Sequence, residues 1–148
     1  MSEQSPENGA HTTPFSDLDL RRWKEHTGVI LGSLWLLGAR DKSGPHEGDY
    51  WGNFVPQIAR QVLLRFTRQG ELVVDLFSGM GTTLIECRHL GRHGIGVELN
   101  AAVAARAEQR IARAENGRDV RTPVLVADAT AAETLDLLRA ELRHLGQD

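Results

Sequence analysis

Asp75, Gly79, Gly81, Glu98 and Asp128 have the types and the spacing of a nucleotide-sized site. Gly79 and Gly81 lie in the run Phe77-Ser78-Gly79-Met80-Gly81-Thr82-Thr83. Without a Cβ they let backbone N–H groups approach a ligand closely. A helix beginning directly after them attracts anionic groups. Glu98 follows Asp75 by close to the roughly 20 residues expected of an acid that binds ribose hydroxyls. Asp128 is placed to accept from an amino group on a base. Asp75 is the one charge in an apolar run, and leaving it there unpaired is costly. A bound ammonium group would satisfy it.

Three kinds of ligand use such a turn. A dinucleotide requires a third glycine, and Leu84 stands at that position. A nucleoside triphosphate requires Lys before the Ser or Thr that follows the last glycine, and Thr82-Thr83 supplies none. S-adenosylmethionine remains, with a carboxylate suited to the helix end. Each residue also has a plainer reading. Gly79 and Gly81 suit an ordinary tight turn, Glu98 and Asp128 suit solvated strand ends, and Asp75 suits a cap on the following loop. Three acids, each closing a consecutive strand, are harder to explain that way together.

Those positions require a particular order of elements. Residues 1–16 are rich in Ser, Pro, Glu and Thr and read as a mobile tail. Asp17 to Ala39 has helix-like apolar spacing interrupted by Gly28 and Gly32, and Asp41 to Gly48 is loop-like in composition. Val55, Ile58, Val62 and Phe66 recur at helical spacing, so a helix is expected from Phe54 to Thr67. Leu72 to Phe77 reads as a strand buried on both faces. Then follow a helix from Thr82 to Leu90, a strand from Gly94 to Glu98, and a helix capped by Asn100 with Val103, Ala107 and Ile111 inward. A short strand from Pro123 to Ala127 precedes a last helix marked by Leu135, Leu138, Leu142 and Leu145. The fold expected is α/β: three parallel strands in the order third, second, first, with flanking helices, part of a doubly wound, Rossmann-like sheet. The organisation read from this is a tail at 1–16, a helical and loop segment at 17–49, and an α/β half-domain at 50–148.

Composition narrows the class. The chain has 148 residues, 41% hydrophobic and 25% charged, with a net charge of −3. That suits one globular domain, without the basic surplus of a free-standing nucleic-acid binder. A single cysteine, Cys87, and a polar opening suggest a cytoplasmic protein without an internal disulfide. No run is long enough for a membrane span. The six histidines are scattered without metal-ligand spacing, so no metal is expected. Cys87 and His89 read as packing and surface positions, Trp35 as core, and Tyr50 and Trp51 as either core or pocket wall.

At these residues the sequence resembles the DNA amino-methyltransferases, which act on the exocyclic amine of adenine or cytosine. Asp75-Leu76-Phe77-Ser78-Gly79-Met80-Gly81-Thr82-Thr83 is similar to their D-P-F-x-G-x-G-T-T cofactor motif, with Leu76 in place of Pro. Gly96-Val97-Glu98-Leu99-Asn100 resembles their ribose-binding segment, and Ala127-Asp128-Ala129 the one that contacts adenine. Gly52-Asn53-Phe54-Val55-Pro56 resembles the segment that closes over the methionine end, with Val55 where Lys often stands. The resemblance spans about Tyr50 to Thr130. It implies a class I methyltransferase sheet and S-adenosylmethionine as cofactor. The binding residues it implies are Asn53, Phe54, Pro56, Asp75, Phe77, Ser78, Gly79, Gly81, Thr82, Thr83, Glu98, Leu99, Asp128 and Ala129.

The family's catalytic loop carries Asp, Asn or Ser, then Pro-Pro and an aromatic residue. These 148 residues contain no Pro-Pro. No catalytic residue is therefore assigned, and the catalytic half is expected to be absent. The expectation is a cofactor-binding portion, inactive alone, either a truncated product or one partner of a split enzyme. A second chain would then bring the catalytic loop and the contacts to DNA. Two other readings stand beside it: part of an RNA guanine-N2 methyltransferase, and a non-catalytic module that binds S-adenosylmethionine or a partner protein.

Overall fold

The computed structural model describes residues 16–146; the tail expected at 1–16 lies almost wholly outside them. The α/β part comprises α1 (Pro56–Phe66), β1 (Leu72–Asp75), α2 (Thr82–Leu90), β2 (His93–Glu98), α3 (Ala101–Ala112), β3 (Val124–Val126) and α4 (Ala132–His144). The three strands form one parallel sheet in the order β1-β2-β3, with Asp75 opposite Gly96 and Glu98 opposite Val126. This is the expected order, with the first strand at the edge. Among the described residues no helix is long and apolar enough to cross a membrane.

Local chemistry sets the element ends. Pro56 opens α1, where its fixed φ and missing N–H do no harm. Glycines in the left-handed conformation bracket α2, with Gly81 at φ 79° and Gly91 at φ 74°. The Asn100 side chain accepts from Ala102 N at 2.9 Å and Val103 N at 3.3 Å, which caps α3. Central β2 buries Ile95 and Val97 completely. Leu84 and Ile85 of α2 pack with Ala104, Ala107 and Ile111 of α3 and Val124 of β3, while Leu63, Cys87 and Leu90 join α1 to α2.

Two close approaches fix the segment between β1 and α2. A Cβ on Gly96 would lie 2.8 Å from both Cβ and Oγ of Ser78, and one on Gly81 would lie 2.8 Å from Ile111 Cδ1. A Cβ at Gly96 would displace the turn, and one at Gly81, already at φ 79°, would displace the Ile111 side chain.

The segment before α1 is not the helix that its apolar spacing suggests. One 3-10 turn, Leu20–Glu25, is its only helical element among the described residues. Side chains of α1 satisfy the irregular backbone instead. Gln61 accepts from Ile30 N and donates to Gly28 O, both at 2.8 Å, and Gln57 accepts from Asp41 N and donates to Ala39 O. The nearly buried Arg92 fastens the start of the segment by donating to Asp17 Oδ2 at 2.7 Å and to Thr67 O at 2.9 Å.

Two other expectations need correction, those for β1 and Trp35. β1 stops at Asp75 and is only half covered: Val74 is 44% exposed and Phe77 78%. An apolar run suggests two covered faces, but no described strand lies beyond this edge. Trp35 is half-buried, donates to Gly32 O, and stacks under the Arg65 guanidinium 5.0 Å away. In α4 only Thr134 is buried, and Leu135 is 56% exposed, because no described element covers that helix's apolar face.

Replacing Gly96 with Ala is expected to lower stability by about 1–3 kcal/mol, the usual scale of overpacking, measured by urea unfolding. The fully buried Cys87 thiol is pushed up by burial to about 12. Thiolate is the reactive form, so a disulfide reagent at pH 8 is expected to modify Cys87 only when the chain unfolds. Rapid labelling of the native protein would contradict that placement.

Candidate functional site

The carboxyl ends of the three strands converge on the turn that leads into α2. Ser78 N donates to Val97 O at 2.9 Å, carrying the chain from edge β1 across the end of β2. Gly81 N closes the turn on Ser78 O at 2.8 Å. Gly79 sits at φ 49° in the left-handed region that favours glycine. The free N–H groups of the first turn of α2 follow directly.

Glu98 binds this turn. Its Oε2 accepts from Gly79 N at 3.1 Å and its Oε1 from Asn100 N at 2.8 Å. One carboxylate thus ties the glycine turn to the entrance of α3. It remains half-buried at the end of β2, and each oxygen keeps acceptor capacity. Asp75 closes β1 two pairs before the level of Glu98, and its Oδ1 accepts from Phe77 N at 3.1 Å. This is the cap anticipated as its plainer role, and it leaves Oδ2 free of any described hydrogen bond. Ala127 N donates to Glu98 O at 3.1 Å, which brings Asp128 alongside. Hydrogen bonds from the Thr130 side chain and backbone hold Asp128 below the usual carboxylate range. It is therefore an ionised acceptor facing solvent.

The other expected residues divide into those at the turn and those beside it. Ser78 and Thr82 are buried within the turn, and the Ser78 hydroxyl has no partner. Thr83 and Ala129 are half-buried. Phe77 and Leu99, 78% and 70% exposed, follow the first and second acids as apolar surfaces. Asn53 and Phe54 are held through their carbonyls by Arg40, and the buried Asn53 Nδ2 has no partner. Pro56 is buried at the start of α1. No hydrogen bond joins Asn53 or Phe54 to the three acids among the described residues.

Tyr50 is the wall residue of its pair: a Cβ on Gly79 would lie 3.7 Å from Tyr50 Cε1, whereas Trp51 is 98% exposed. A charge network positions Tyr50. Arg110, almost fully buried, donates to both Glu47 and Asp49, while Arg106 joins Asp49 and Arg113 joins Glu47. The hydrogen bond from Arg110 holds Asp49 below its ordinary range. Sequence reading missed this network because its partners lie about sixty positions apart. The alternation of Arg106, Arg110 and Arg113 along one helical face was its only signal.

A second cluster corrects the view of the histidines as scattered. His46, in the loop before α1, and His89, in α2, meet at Glu86. Glu86 Oε1 accepts from His46 Nε2 at 2.7 Å and from His89 Nδ1 at 3.2 Å, and Arg60 donates to Oε2 at 3.3 Å. Burial pushes the Glu86 carboxyl upward, but the two imidazoles overcome it and hold the group at about 2. Glu86 and His89 were visible as neighbours one turn apart on a helix; His46 was not.

A cavity of about 490 Å³ opens at the opposite end of the sheet, beside Gln69, Gly91 and Arg118. It lies apart from the strand tips that carry Asp75, Glu98 and Asp128.

The family model described as DNA methylase matches residues 3–109. The type II methyltransferase M.MjaII of Methanocaldococcus jannaschii is 31% identical over 85 residues, covering 54% of this chain and 16% of that protein. M.SmaI of Serratia marcescens, also a type II methyltransferase, is 39% identical over 69 residues, covering 47% of this chain and 24% of that protein. The chain therefore spans less than a quarter of the length of these curated relatives. A solved structure from Thermus thermophilus, named as a putative DNA modification methylase and complexed with S-adenosyl-L-methionine, is 38% identical with a TM-score of 0.43. It covers 49% of this chain and 29% of that one. With most of its length inside the family model, the chain belongs to the DNA methylase family.

Proposed function

We propose that this chain forms the S-adenosylmethionine-binding portion of a DNA amino-methyltransferase. The observation that carries the reading is Glu98, whose carboxylate lies at the end of the central strand and bonds the backbone of the glycine turn. In this reading its free lone pairs receive the ribose hydroxyls. The free oxygen of Asp75 takes the methionine ammonium, and Asp128 accepts from the adenine amine. The methionine carboxylate meets the N-terminus of α2 beside Thr82 and Thr83. Gly79, Gly81 and Ser78 allow the close approach, Phe77, Leu99 and Ala129 line the apolar parts, and Asn53, Phe54 and Pro56 close the methionine end.

Methyl transfer to an exocyclic amine depends on holding the amine in line with the methyl–sulfur bond. These residues hold the donor. A target base flipped from the duplex must be stacked and oriented by groups outside this crevice. The family's Pro-Pro-aromatic loop is the expected source, whether on the same polypeptide or on another. The edge of β1, with Val74 exposed beside it and Ile58, Val62 and Phe66 exposed along α1, is the surface we assign to the strand that precedes that loop. DNA is thus the substrate and contacts chiefly that other half. Membership of a DNA methylase family supports DNA over RNA as the target. The type II names of the relatives support a role in restriction-modification. One buried thiol suits a reducing cytoplasm.

Calorimetric titration with S-adenosylmethionine is expected to show weaker binding by about 1.5–3 kcal/mol for Asp75→Ala and for Glu98→Ala, the scale of a charge-assisted hydrogen bond. Unchanged affinity in both variants would remove the pocket assignment. In a radiolabelled transfer assay on duplex DNA, the chain alone is expected to be silent. Addition of a polypeptide bearing the Pro-Pro-aromatic loop should restore transfer. Transfer by these 148 residues alone would overturn the proposed division of labour.

A further inference from the structure

We propose that His46, Glu86 and His89 form a site for one zinc-like divalent cation, which clasps the segment before α1 to α2. Their donor atoms all lie within 4.8 Å of one another. They come from two parts of the chain: Glu86 and His89 stand one turn apart on α2, and His46 reaches in from the loop. Two imidazoles and a carboxylate are the donor set of three-ligand zinc sites. His46 and Glu86 are each 3% exposed, so the donors are fixed by packing before any ion arrives.

The three side chains already converge on one point. His46 Nε2 and His89 Nδ1 both point at the same oxygen, Glu86 Oε1. Arg60 holds the other oxygen and so orients the carboxylate, as outer groups do around metal ligands. Tetrahedral bonds of about 2.0–2.2 Å place neighbouring donors roughly 3.3 Å apart. The His89 contact already has nearly that spacing, and His46 must withdraw by roughly 0.5 Å. Water takes the fourth position on the side of His89, the most exposed of the three side chains. Each imidazole must offer the lone pair of that nitrogen to the ion, so any proton there passes to water or to the other ring nitrogen. The loop that holds His46 continues to Glu47, Asp49 and Tyr50, so the ion would brace the wall of the crevice from behind. The inference stands apart from the S-adenosylmethionine reading and does not require it.

The test uses the full chain, free of any affinity tag and stripped with EDTA. Titration with zinc sulfate is expected to give one equivalent bound at micromolar affinity or tighter, with a higher melting temperature. Cobalt(II) should give the visible bands of a four-coordinate site. His89→Gln and His46→Gln should each weaken binding at least about tenfold, and His93→Gln, outside the cluster, should leave it unchanged. His89 lies toward the surface, so its variant carries the test if His46→Gln does not fold. Substoichiometric binding, or equal affinity in wild type and His89→Gln, would overturn the proposal.

Discussion

Gly81 and Gly96 leave room for only the Ile111 and Ser78 side chains beside the glycine turn, and this steric constraint organises the rest of the molecule. Gly96 lets Ser78 lie against β2, and Gly81 lets Ile111 of α3 come up under the start of α2. With both contacts made, Ser78 N reaches Val97 O and Gly79 N reaches the Glu98 carboxylate. The acid at the tip of β2 then occupies one defined place relative to the turn. Packing fixes the geometry of the turn.

The segment before α1 is attached by a different principle. It has almost no regular structure, so its peptide groups need partners from elsewhere. Gln57 and Gln61 imitate the two faces of a peptide group, each accepting from one N–H and donating to a carbonyl. Arg40 serves carbonyls at Glu47, Asn53 and Phe54. Charge then fixes its far end, where Glu47 and Asp49 meet three arginines of and just after α3. Tyr50 follows immediately, and its ring edge lies beside Gly79. The wall of the crevice is therefore held by polar bonds, while its floor is held by apolar packing.

Elements whose limits are written in local chemistry were legible in the sequence. Gly81 and Gly91 bracket α2 because left-handed backbone is needed at both ends, and Asn100 announces α3 because its side chain replaces a missing backbone acceptor. The strand order and the positions of Asp75, Glu98 and Asp128 followed from those limits. Features that depend on distant neighbours were not legible. An apolar period places leucines of α4 on one face but cannot say whether anything covers it. The order of elements puts β1 at the edge, but its apolar run cannot reveal that its faces are only half covered. The bond from Gly79 to Glu98 and the meeting of His46 with Glu86 join residues that only the completed sheet and helices bring together. Asp75 showed both readings at once, since capping Phe77 N occupies one oxygen and leaves the other.

The two glutamines of α1 have a kinetic consequence. Gln61 holds two peptide groups of the preceding segment and Gln57 three, so releasing one side chain frees a loop of backbone without disturbing the sheet. Regions secured by few bonds open far below the free energy of global unfolding. Amide protons near Gly28, Ile30 and Asp41 should therefore exchange with solvent long before those of Ile95 and Val97, and the segment would behave as a hinged flap on a rigid frame.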